Sequence, residues 1–469
     1  MLIVMPWKAV NGLANVKVML WFDVEDYITP QAQESLLALL RMLNRRNVKG
    51  IFKIVGEKAR RLERDGRTDI WAEMSGHEIG YHTDMHSEHP VSTEYLERCG
   101  FRDGAVEYEA RERGGLADLR RIAGKPAICF GQAGYAWAPQ TYAALKHWGI
   151  PVYLDDHDHI RLDGRPFWYG GLLNLTNLRG TMRMELVADG LEKAKEQFDE
   201  LYASLASEPV GFVSIYYHPC EFACRGFWDA ANFARGRNTP REEWRPAPLR
   251  PEGETERYLD MLGRFIDYTL SKENVEYIGS EQALALERSG TGPVEPSLVK
   301  ELAAGIGNAL GFRIAGGRSF SAAELHSLFR RYLLGMELLP ELLYGPEADA
   351  AAPGAEVGAG AIRVDDVKRA LAVEYPEALG TPQLPETFEV GGVRVHAVDL
   401  TCTMARIIAD GLGDGDRVEL VRGALESAKH AGDDDLWGPR WIIFPEELRV
   451  PNVVRMSKLQ TWTLKPALF

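Results

Sequence analysis

Apolar and polar positions along the first part of the chain follow a pattern that predicts strands separated by helices. The run from Val16 to Phe22 is almost continuously apolar, as is typical of a strand buried on both faces. Residues 31–46 place leucines at helical spacing, and residues 48–55 form a second apolar run. The same pattern predicts a helix at 142–148, a strand at 151–154, a helix at 258–270 and a strand at 275–278. This alternation predicts a parallel sheet with crossover helices.

The pattern changes near residue 288. Residues 288–297 are rich in glycine and proline and predict a linker. We therefore predict a first domain over 1–287 and a smaller, mainly α (α+β) domain over 298–469. In the second domain we predict helices at 297–310, 321–334, 364–375 and 400–411, a hairpin at 384–395 around Gly391-Gly392, and a flexible connection at 345–360.

Composition narrows the class of protein. A chain of 469 residues is too long for one typical core, and its 45% hydrophobic fraction supports sizeable cores. The net charge of -14 argues against nucleic acid or an anionic membrane as a partner. No apolar run is long enough to span a membrane, and Met1–Lys8 lacks the features of a signal peptide. Five scattered cysteines fit a reducing compartment, so we predict a cytoplasmic protein.

Acidic residues follow the first apolar run directly, at Asp23, Glu25 and Asp26. Charges at this position usually mark the active mouth of an α/β barrel or open sheet. Strand residues two apart share a face, so Asp23 and Glu25 both face the pocket if the strand continues that far. If the strand ends at Asp23, Asp26 turns inward instead. We choose Glu25.

Two histidines four residues apart, His82 and His86, follow a turn that begins at Gly76. Four residues is close to one helical turn, so both rings can face the same point. Paired histidines at this spacing are also common on surfaces, but the acidic run upstream favours a metal site. Two imidazoles and one carboxylate leave coordination positions open for water and substrate.

These segments resemble motifs of the polysaccharide deacetylases, the NodB-homology superfamily, over about residues 16–285. The resemblance implies a distorted (β/α) barrel whose motif residues gather at the carboxyl ends of its strands. It also implies Asp23 as general base. Glu25, His82 and His86 would then hold a divalent metal ion, which we expect to be zinc, with cobalt and nickel as alternatives.

Three later segments resemble the remaining motifs with decreasing fidelity. Residues 132–136 resemble the motif Arg-x-Pro-Tyr/Phe-Gly, but Gln132 stands where the family has an arginine that steadies the catalytic aspartate. A neutral amide can hydrogen-bond a carboxylate but cannot lower its pKa as a fixed cation does. Residues 154–158 resemble an aspartate-rich motif, and residues 213–219 resemble a strand that ends in histidine.

The resemblance also implies roles for residues in these segments. His218 would donate a proton to the leaving amine, and Asp155 or Asp156 would orient it. The backbone N–H of Tyr135 would stabilise the oxyanion. We accordingly predict Gln132, Tyr135 and Asp156 on the substrate side of the pocket.

The predicted activity is metal-dependent hydrolysis of a carbon–nitrogen bond that removes an acyl group, N-acetyl in first place, from a carbohydrate. One alternative is hydrolysis of a small amide or cyclic nitrogen compound. The replacement of the family arginine by Gln132 and the lack of signal-peptide features at Met1–Lys8 favour this alternative. A second is a carbohydrate-binding relative without catalysis. The joint presence of Asp23, His82, His86 and His218 speaks against a purely binding role.

The second domain carries no comparable set of residues. It loosely resembles cell-wall-binding repeats; alternatively, it covers the barrel or mediates contact between copies of the chain. Its tryptophans are predicted either to pack its core or to stack on sugar rings. They are Trp437, Trp441 and Trp462. The predicted partner is an acylated carbohydrate or small molecule.

Overall fold

The computed structural model describes residues 15–348 and 360–469, so the predictions for Met1–Lys8 and for most of 345–360 lie outside the described residues. Its largest element is an 11-stranded sheet. The strands of this sheet are β1 Val16–Val24, β2 Ile51–Ile54, β3 Glu78–Tyr81, β4 Cys129–Phe130, β5 Val152–Tyr153, β6 Phe167–Tyr169, β7 Leu172–Asn174, β8 Gly180–Met182, β9 Gly211–Tyr217, β10 Val275–Tyr277 and, after the small sheets given below, β21 Lys465–Pro466.

The strands pair in the spatial order β21-β6-β7-β5-β4-β3-β2-β1-β9-β8, and β10 pairs with β1. Strands from β7 across to β8 run parallel, whereas β6 and β21 join antiparallel at one edge. On one side of β1, β10 pairs with Val16–Val18 and β2 pairs with Trp21–Val24, so the sheet divides there. The predicted α/β fold with a distorted (β/α) barrel is confirmed.

Helices connect the parallel strands, as parallel pairing requires. In α1 the buried leucines Leu36, Leu39, Leu40 and Leu43 recur at helical spacing, which gives the helix one apolar face toward the core. The helices of this region are α1 Gln31–Arg45, α2 Gly56–Arg64, α3 Thr68–Met74, α4 Ser92–Leu96, α5 Phe101–Ala123, α6 Thr141–His147, α7 Gly190–Ser204, α8 Trp228–Asn232, α9 Glu254–Leu270 and α10 Ser280–Leu286.

Most of the elements from residue 296 onward surround a second hydrophobic core, whereas α15 packs through Val453 in the core of the barrel. The predicted hairpin is confirmed, with Gly391 (φ 59°) and Gly392 (φ 84°) in its turn. The predicted helix at 297–310 is shorter, because it ends before Gly305. The elements are α11 Pro296–Ala304, β11 Ala309–Leu310, β12 Arg313–Ala315, β13 Arg318–Phe320, α12 Ala322–Leu333, β14 Ala361–Arg363, α13 Val364–Leu371, β15 Glu377–Ala378, β16 Thr381–Pro382, β17 Thr387–Val390, β18 Val393–His396, α14 Ala397–Asp410, β19 Arg417–Glu419, β20 Ala424–Leu425 and α15 Pro451–Leu459.

The C-terminal part of the chain returns to the barrel. β21 pairs with β6, and Trp437, Phe444 and Leu464 belong to the barrel's hydrophobic core. Trp462 instead packs in the second core. The chain therefore contributes to the barrel both before and after the smaller core. Within the described residues, no helix has the length and apolar character needed to cross a membrane.

Candidate active site and metal centre

The carboxyl ends of the parallel strands meet at one edge of the sheet, and acidic and histidine side chains converge there. β1 ends at Val24, and Glu25 follows it directly. Glu25 Oε2 lies 2.8 Å from His86 Nε2 and 3.8 Å from His82 Nε2. All three side chains are buried, and their ligand atoms lie within 4.8 Å of one another. These three residues can therefore hold one metal ion together.

Asp26, the alternative acid, has a different role. Its Oδ1 accepts hydrogen bonds from the backbone N–H groups of Ile28 at 2.9 Å and Thr29 at 2.8 Å. Its carbonyl accepts a hydrogen bond from the Lys58 ammonium. Asp26 thus shapes the loop that follows β1, while Glu25 is the acid beside the histidines.

The two histidines converge through a turn, so the helical spacing used to predict their convergence is wrong. His82 follows the last residue of β3, and His86 lies in the loop beyond it. Thr83 (φ 64°) and His86 (φ 56°) both have left-handed backbone conformations. These conformations bend the chain back, so the two imidazole rings lie 5.1 Å apart.

The hydrogen bonds of the histidines leave the same nitrogen free on both rings. His82 Nδ1 lies 3.0 Å from the Gly131 carbonyl, which can only accept, so Nδ1 carries the hydrogen. His86 Nδ1 contacts Ser87 Oγ at 2.6 Å. Both Nε2 atoms are buried, form no hydrogen bond of regular geometry among the described residues, and face Glu25 Oε2, at 2.8 Å from His86 and 3.8 Å from His82. Buried imidazole nitrogens beside a carboxylate fit a divalent cation such as zinc.

Asp23 lies beside this cluster. Asp23 Oδ2 is 3.7 Å from His218 Nε2, and Oδ1 is 3.0 Å from the Lys53 ammonium. Burial raises the pKa of Asp23, but His82, Lys53 and His218 outweigh it and lower the pKa below its usual range. The carboxylate is therefore ionised and faces an imidazole across the pocket.

His218 follows β9 and is oriented by Glu221, not by the predicted Asp155 or Asp156. His218 Nδ1 contacts Glu221 Oε1, and Arg183 forms an ion pair with the other Glu221 oxygen. Glu221 lies three residues after His218 in the short 3-10 turn that follows β9, and this turn folds its carboxylate back onto the imidazole. The carboxylate that orients His218 therefore comes from a residue close to it in sequence.

The charges in the pocket depend on one another. Burial lowers the pKa of His218, but Glu25, Glu221 and Asp23 raise it to about 10. Burial raises the pKa of Glu25, but His86 and His218 lower it well below its usual range. An imidazolium and two ionised carboxylates thus surround the same space.

The predicted substrate-side residues lie around this space in different ways. Gln132 lines the pocket, but its Oε1 accepts from the Tyr153 hydroxyl at 2.8 Å and its Nε2 donates to the Asp156 carbonyl at 3.0 Å. Gln132 is therefore bound to the barrel, and the cation beside Asp23 is Lys53. Asp156 also lines the pocket, and its Oδ1 accepts from the Asn177 N–H at 2.8 Å.

Tyr135, the predicted oxyanion residue, is not among the residues that line the pocket. Gly134 before it lines the cavity, whereas the Tyr135 hydroxyl contacts Arg440 and its ring packs edge-on against Trp437, 5.7 Å between centroids. Arg440 also pairs with both Asp158 oxygens at 2.8 Å. The side chain of Tyr135 thus anchors the C-terminal segment to the barrel.

Trp441 and Ile442, near the C-terminus, help to line the pocket, whose volume is about 440 Å³. Trp441 lies edge-on to His86, 5.5 Å between ring centroids, and its Nε1 donates to Asp229 Oδ2 at 3.1 Å. Gly134 has φ 48°, and a Cβ there would lie 2.2 Å from the Trp441 ring. Phe227, Asp229 and Ala230, at the start of α8, also line the pocket.

Sequence analysis missed Lys53, Glu221, Asp229 and Trp441 as residues of this site. Lys53 interrupts the apolar run Ile51–Ile54, which is a local signal of a buried charge. Glu221 follows His218 at a spacing typical of a turn. Trp441 carries no local signal, because its position depends on a contact between distant parts of the chain.

Comparisons with known proteins find similarity in structure only. No family model matches the chain, and no curated protein does. The chain is similar to a Mycobacterium smegmatis protein assigned as a polysaccharide deacetylase, with 18% identity and a TM-score of 0.40 over 61% of this chain and 97% of that one. It is also similar to the allantoinase PuuE, with 17% identity and a TM-score of 0.38 over 58% and 90%.

A third similar structure is the 4-alpha-glucanotransferase of Thermococcus litoralis, with 14% identity and a TM-score of 0.40 over 58% of this chain and 41% of that one. Polysaccharide deacetylases are thus among the proteins that the chain resembles in structure, as its motifs predict. A shared fold hosts different reactions, so the reaction has to be inferred from the site.

Proposed function

We propose that the chain is a metal-dependent hydrolase of the polysaccharide deacetylase superfamily, which removes an N-acyl group, N-acetyl in first place, from a carbohydrate. The main support is the pair of buried Nε2 atoms of His82 and His86, which converge on one oxygen of the Glu25 carboxylate. Ionised Asp23 and charged His218 lie beside them. A protein that only binds sugar has no need of this combination.

Each residue then has a chemical role. A divalent ion held by Glu25, His82 and His86, with zinc, cobalt and nickel as candidates, would polarise the acyl carbonyl and lower the pKa of a water molecule. Asp23 accepts a proton from the attacking water, and its ionised state suits that task. His218 gives a proton to the leaving amine.

The remaining predicted residues act on the substrate side. The backbone N–H of Tyr135 would donate to the developing oxyanion. Asp156 and Gln132 would form part of the wall that contacts the acylated molecule. The bonds of Gln132 to Tyr153 and Asp156 support a fixed wall more than a direct role in proton transfer.

A second candidate is hydrolysis of a small amide or cyclic nitrogen compound by the same residues. The volume of the pocket favours it, because a cavity of about 440 Å³ with the Trp441 ring in its wall suits one compact ligand better than a long chain. Contact between copies through residues 298–469 and a cytoplasmic location both stay predictions.

Metal analysis followed by assays on substrates of two sizes tests these functions. We expect about one zinc, cobalt or nickel ion per chain, loss of activity on chelation, and recovery when the ion returns. Acetate release should be compared between chito-oligosaccharides and N-acetylglucosamine, with hydantoin as a cyclic amide. Turnover of small amides alone would select the second candidate. Purified protein that binds none of the three metals would overturn both.

A further inference from the structure

A lysine with no exposed surface lies inside the barrel next to the metal cluster. Lys53 belongs to β2, between apolar residues that are themselves buried. Burying an ammonium without compensation is costly, so a buried lysine must be paired. The Lys53 ammonium lies 3.0 Å from Asp23 Oδ1 and 2.6 Å from Asp155 Oδ2. It also lies 4.0 Å from the centre of the Trp21 ring, at a distance typical of a cation–π contact.

The backbone around this lysine is shaped to admit it. Lys53 is the direct partner of Asp23 across the β1–β2 pair and of Gly80 across the β2–β3 pair. A Cβ at Gly80 would lie 2.8 Å from Lys53 Cγ. A Cβ at Gly131 would lie 2.2 Å from the Lys53 ammonium and 2.4 Å from Asp155 Oδ2. Gly80 in β3 and Gly131 directly after β4 thus leave the space that the lysine and its carboxylate partner fill.

The Lys53 ammonium lies among side chains that could otherwise bind a metal ion. Asp23, His82 and Asp155 offer ligand atoms within 4.8 Å of one another. The Lys53 ammonium is within 3.0 Å of both carboxylates in this group, so the protein's own cation already lies there. Asp155 is held in turn by the Asp156 N–H, which donates to its Oδ1 at 2.8 Å.

We infer that Lys53 is the fixed cation of this site, a positioning residue that holds Asp23 with one oxygen toward the lysine and the other toward His218. The inference rests on the proposed function, because it assigns Lys53 a part in the work of the base. Lys53 acts through Asp23 and has no exposed surface with which to contact a substrate. Burial lowers the pKa of Lys53, but Asp155 and Asp23 raise it above its usual value, so the charge is kept.

Two variants test the inference: one removes the charge of Lys53 alone, and the other removes the charges of both Lys53 and Asp155. Lys53→Met keeps the length of the side chain but leaves Asp23 and Asp155 as unpaired neighbours, so we expect lower thermal stability. We expect kcat to fall about 100-fold with KM within about threefold, since the base loses its orientation. Bound metal should stay at the level of the unmodified protein, because the ammonium of Lys53 pairs with Asp23 and Asp155 and forms no hydrogen bond or ion pair with Glu25, His82 or His86.

The double variant Lys53→Met/Asp155→Asn is the matched control. It removes the unpaired Asp155 charge, so we expect stability to recover most of its loss. Asp23 still lacks its cation, so kcat should stay within about threefold of the single variant. If kcat recovers together with stability, the lysine has only a structural role and the inference is overturned.

The same assays separate this inference from the proposed function. If the unmodified, metal-loaded protein turns over none of the probes, the proposed function fails and the inference fails with it. If the unmodified protein is active and the double variant is equally active, only the role of Lys53 fails. Metal content measured on every variant shows whether a loss of activity instead comes from a loss of the ion.

Discussion

Trp441 Nε1 donates a hydrogen bond of 3.1 Å to Asp229 Oδ2, and this bond joins the C-terminal segment to α8 beside the metal cluster. The Trp441 ring also stands edge-on to His86. A tryptophan predicted to pack a separate domain or stack on sugar therefore belongs to the wall of the pocket. The size of the accepted substrate should depend on this residue.

Trp441→Ala should open the pocket toward longer substrates. We expect kcat/KM for chitotetraose, relative to N-acetylglucosamine, to rise about tenfold, because loss of the ring widens the cavity at its wall; this corresponds to ~1.4 kcal/mol. Steady-state kinetics on both probes measure the ratio. Trp168→Phe is the control, since Trp168 lies in β6 and does not line this pocket. An unchanged ratio in Trp441→Ala would show that the ring does not restrict substrate length.

Glu25 and Asp26 are adjacent acids with different contacts, so a matched pair of variants can separate their roles. Glu25→Gln should weaken metal binding at least about 100-fold, because it removes the charged ligand beside His86. Asp26→Asn should keep one ion per chain and lose about 1 kcal/mol of stability through weaker hydrogen bonds to Ile28 and Thr29. Metal titration by calorimetry and urea unfolding measure the two effects. Metal loss in Asp26→Asn alone would reverse the assignment.

The contrast between Glu25 and Lys53 shows what local sequence could predict. Alternation along β1 placed Asp23 and Glu25 on one face, and that pattern needs only the strand itself. Lys53 requires knowledge of which strand lies beside β1, since its carboxylate partners come from two other segments. Strand order is a property of the assembled sheet. The motif at Gln132, where the family has an arginine, therefore could not show that the cation beside Asp23 is Lys53.

The same limit applies to the C-terminal region. Hydrophobic periodicity predicted the helices and the Gly391-Gly392 hairpin of the second region, because both patterns are local. It could not predict that Trp437 and Trp462 pack in different cores. That difference arises when residues beyond the second core turn back to the barrel, which is a contact between segments several hundred residues apart.

Glu221 is expected to act through His218. Glu221→Gln should lower kcat about 10- to 100-fold with metal content unchanged, because the imidazolium loses the carboxylate that orients it and supports its charge. Glu185→Gln is a close control, since Glu185 also pairs with Arg183, at 3.4 Å, but is largely exposed. Kinetics and metal analysis on both variants check this. Equal losses in the two variants would mean that the Arg183 ion pairs matter and the contact with His218 does not.

Glu112 should make stability depend on pH through the loop that carries the histidines. Its Oε2 accepts from the Tyr81 hydroxyl and, at 2.7 Å, from the Asp84 N–H. Burial raises the pKa of Glu112, the Tyr81 hydrogen bond lowers it and Asp84 raises it, with a net value of about 7 against an ordinary 4.5. The folded protein thus holds this proton more tightly than the unfolded chain does.

The contribution of Glu112 to the unfolding free energy should therefore be fully present below about pH 4.5 and be lost as the pH rises through about 7, because the folded state must then give up a proton that it binds more tightly. For a half-buried group we expect about 1–3 kcal/mol. Glu112→Gln should remove this part of the pH dependence, measured by urea unfolding across the range. Glu107→Gln, on the same helix and paired with Arg111 at the surface, should leave it intact. A Glu112→Gln profile parallel to that of the unmodified protein would assign the pH dependence to other groups.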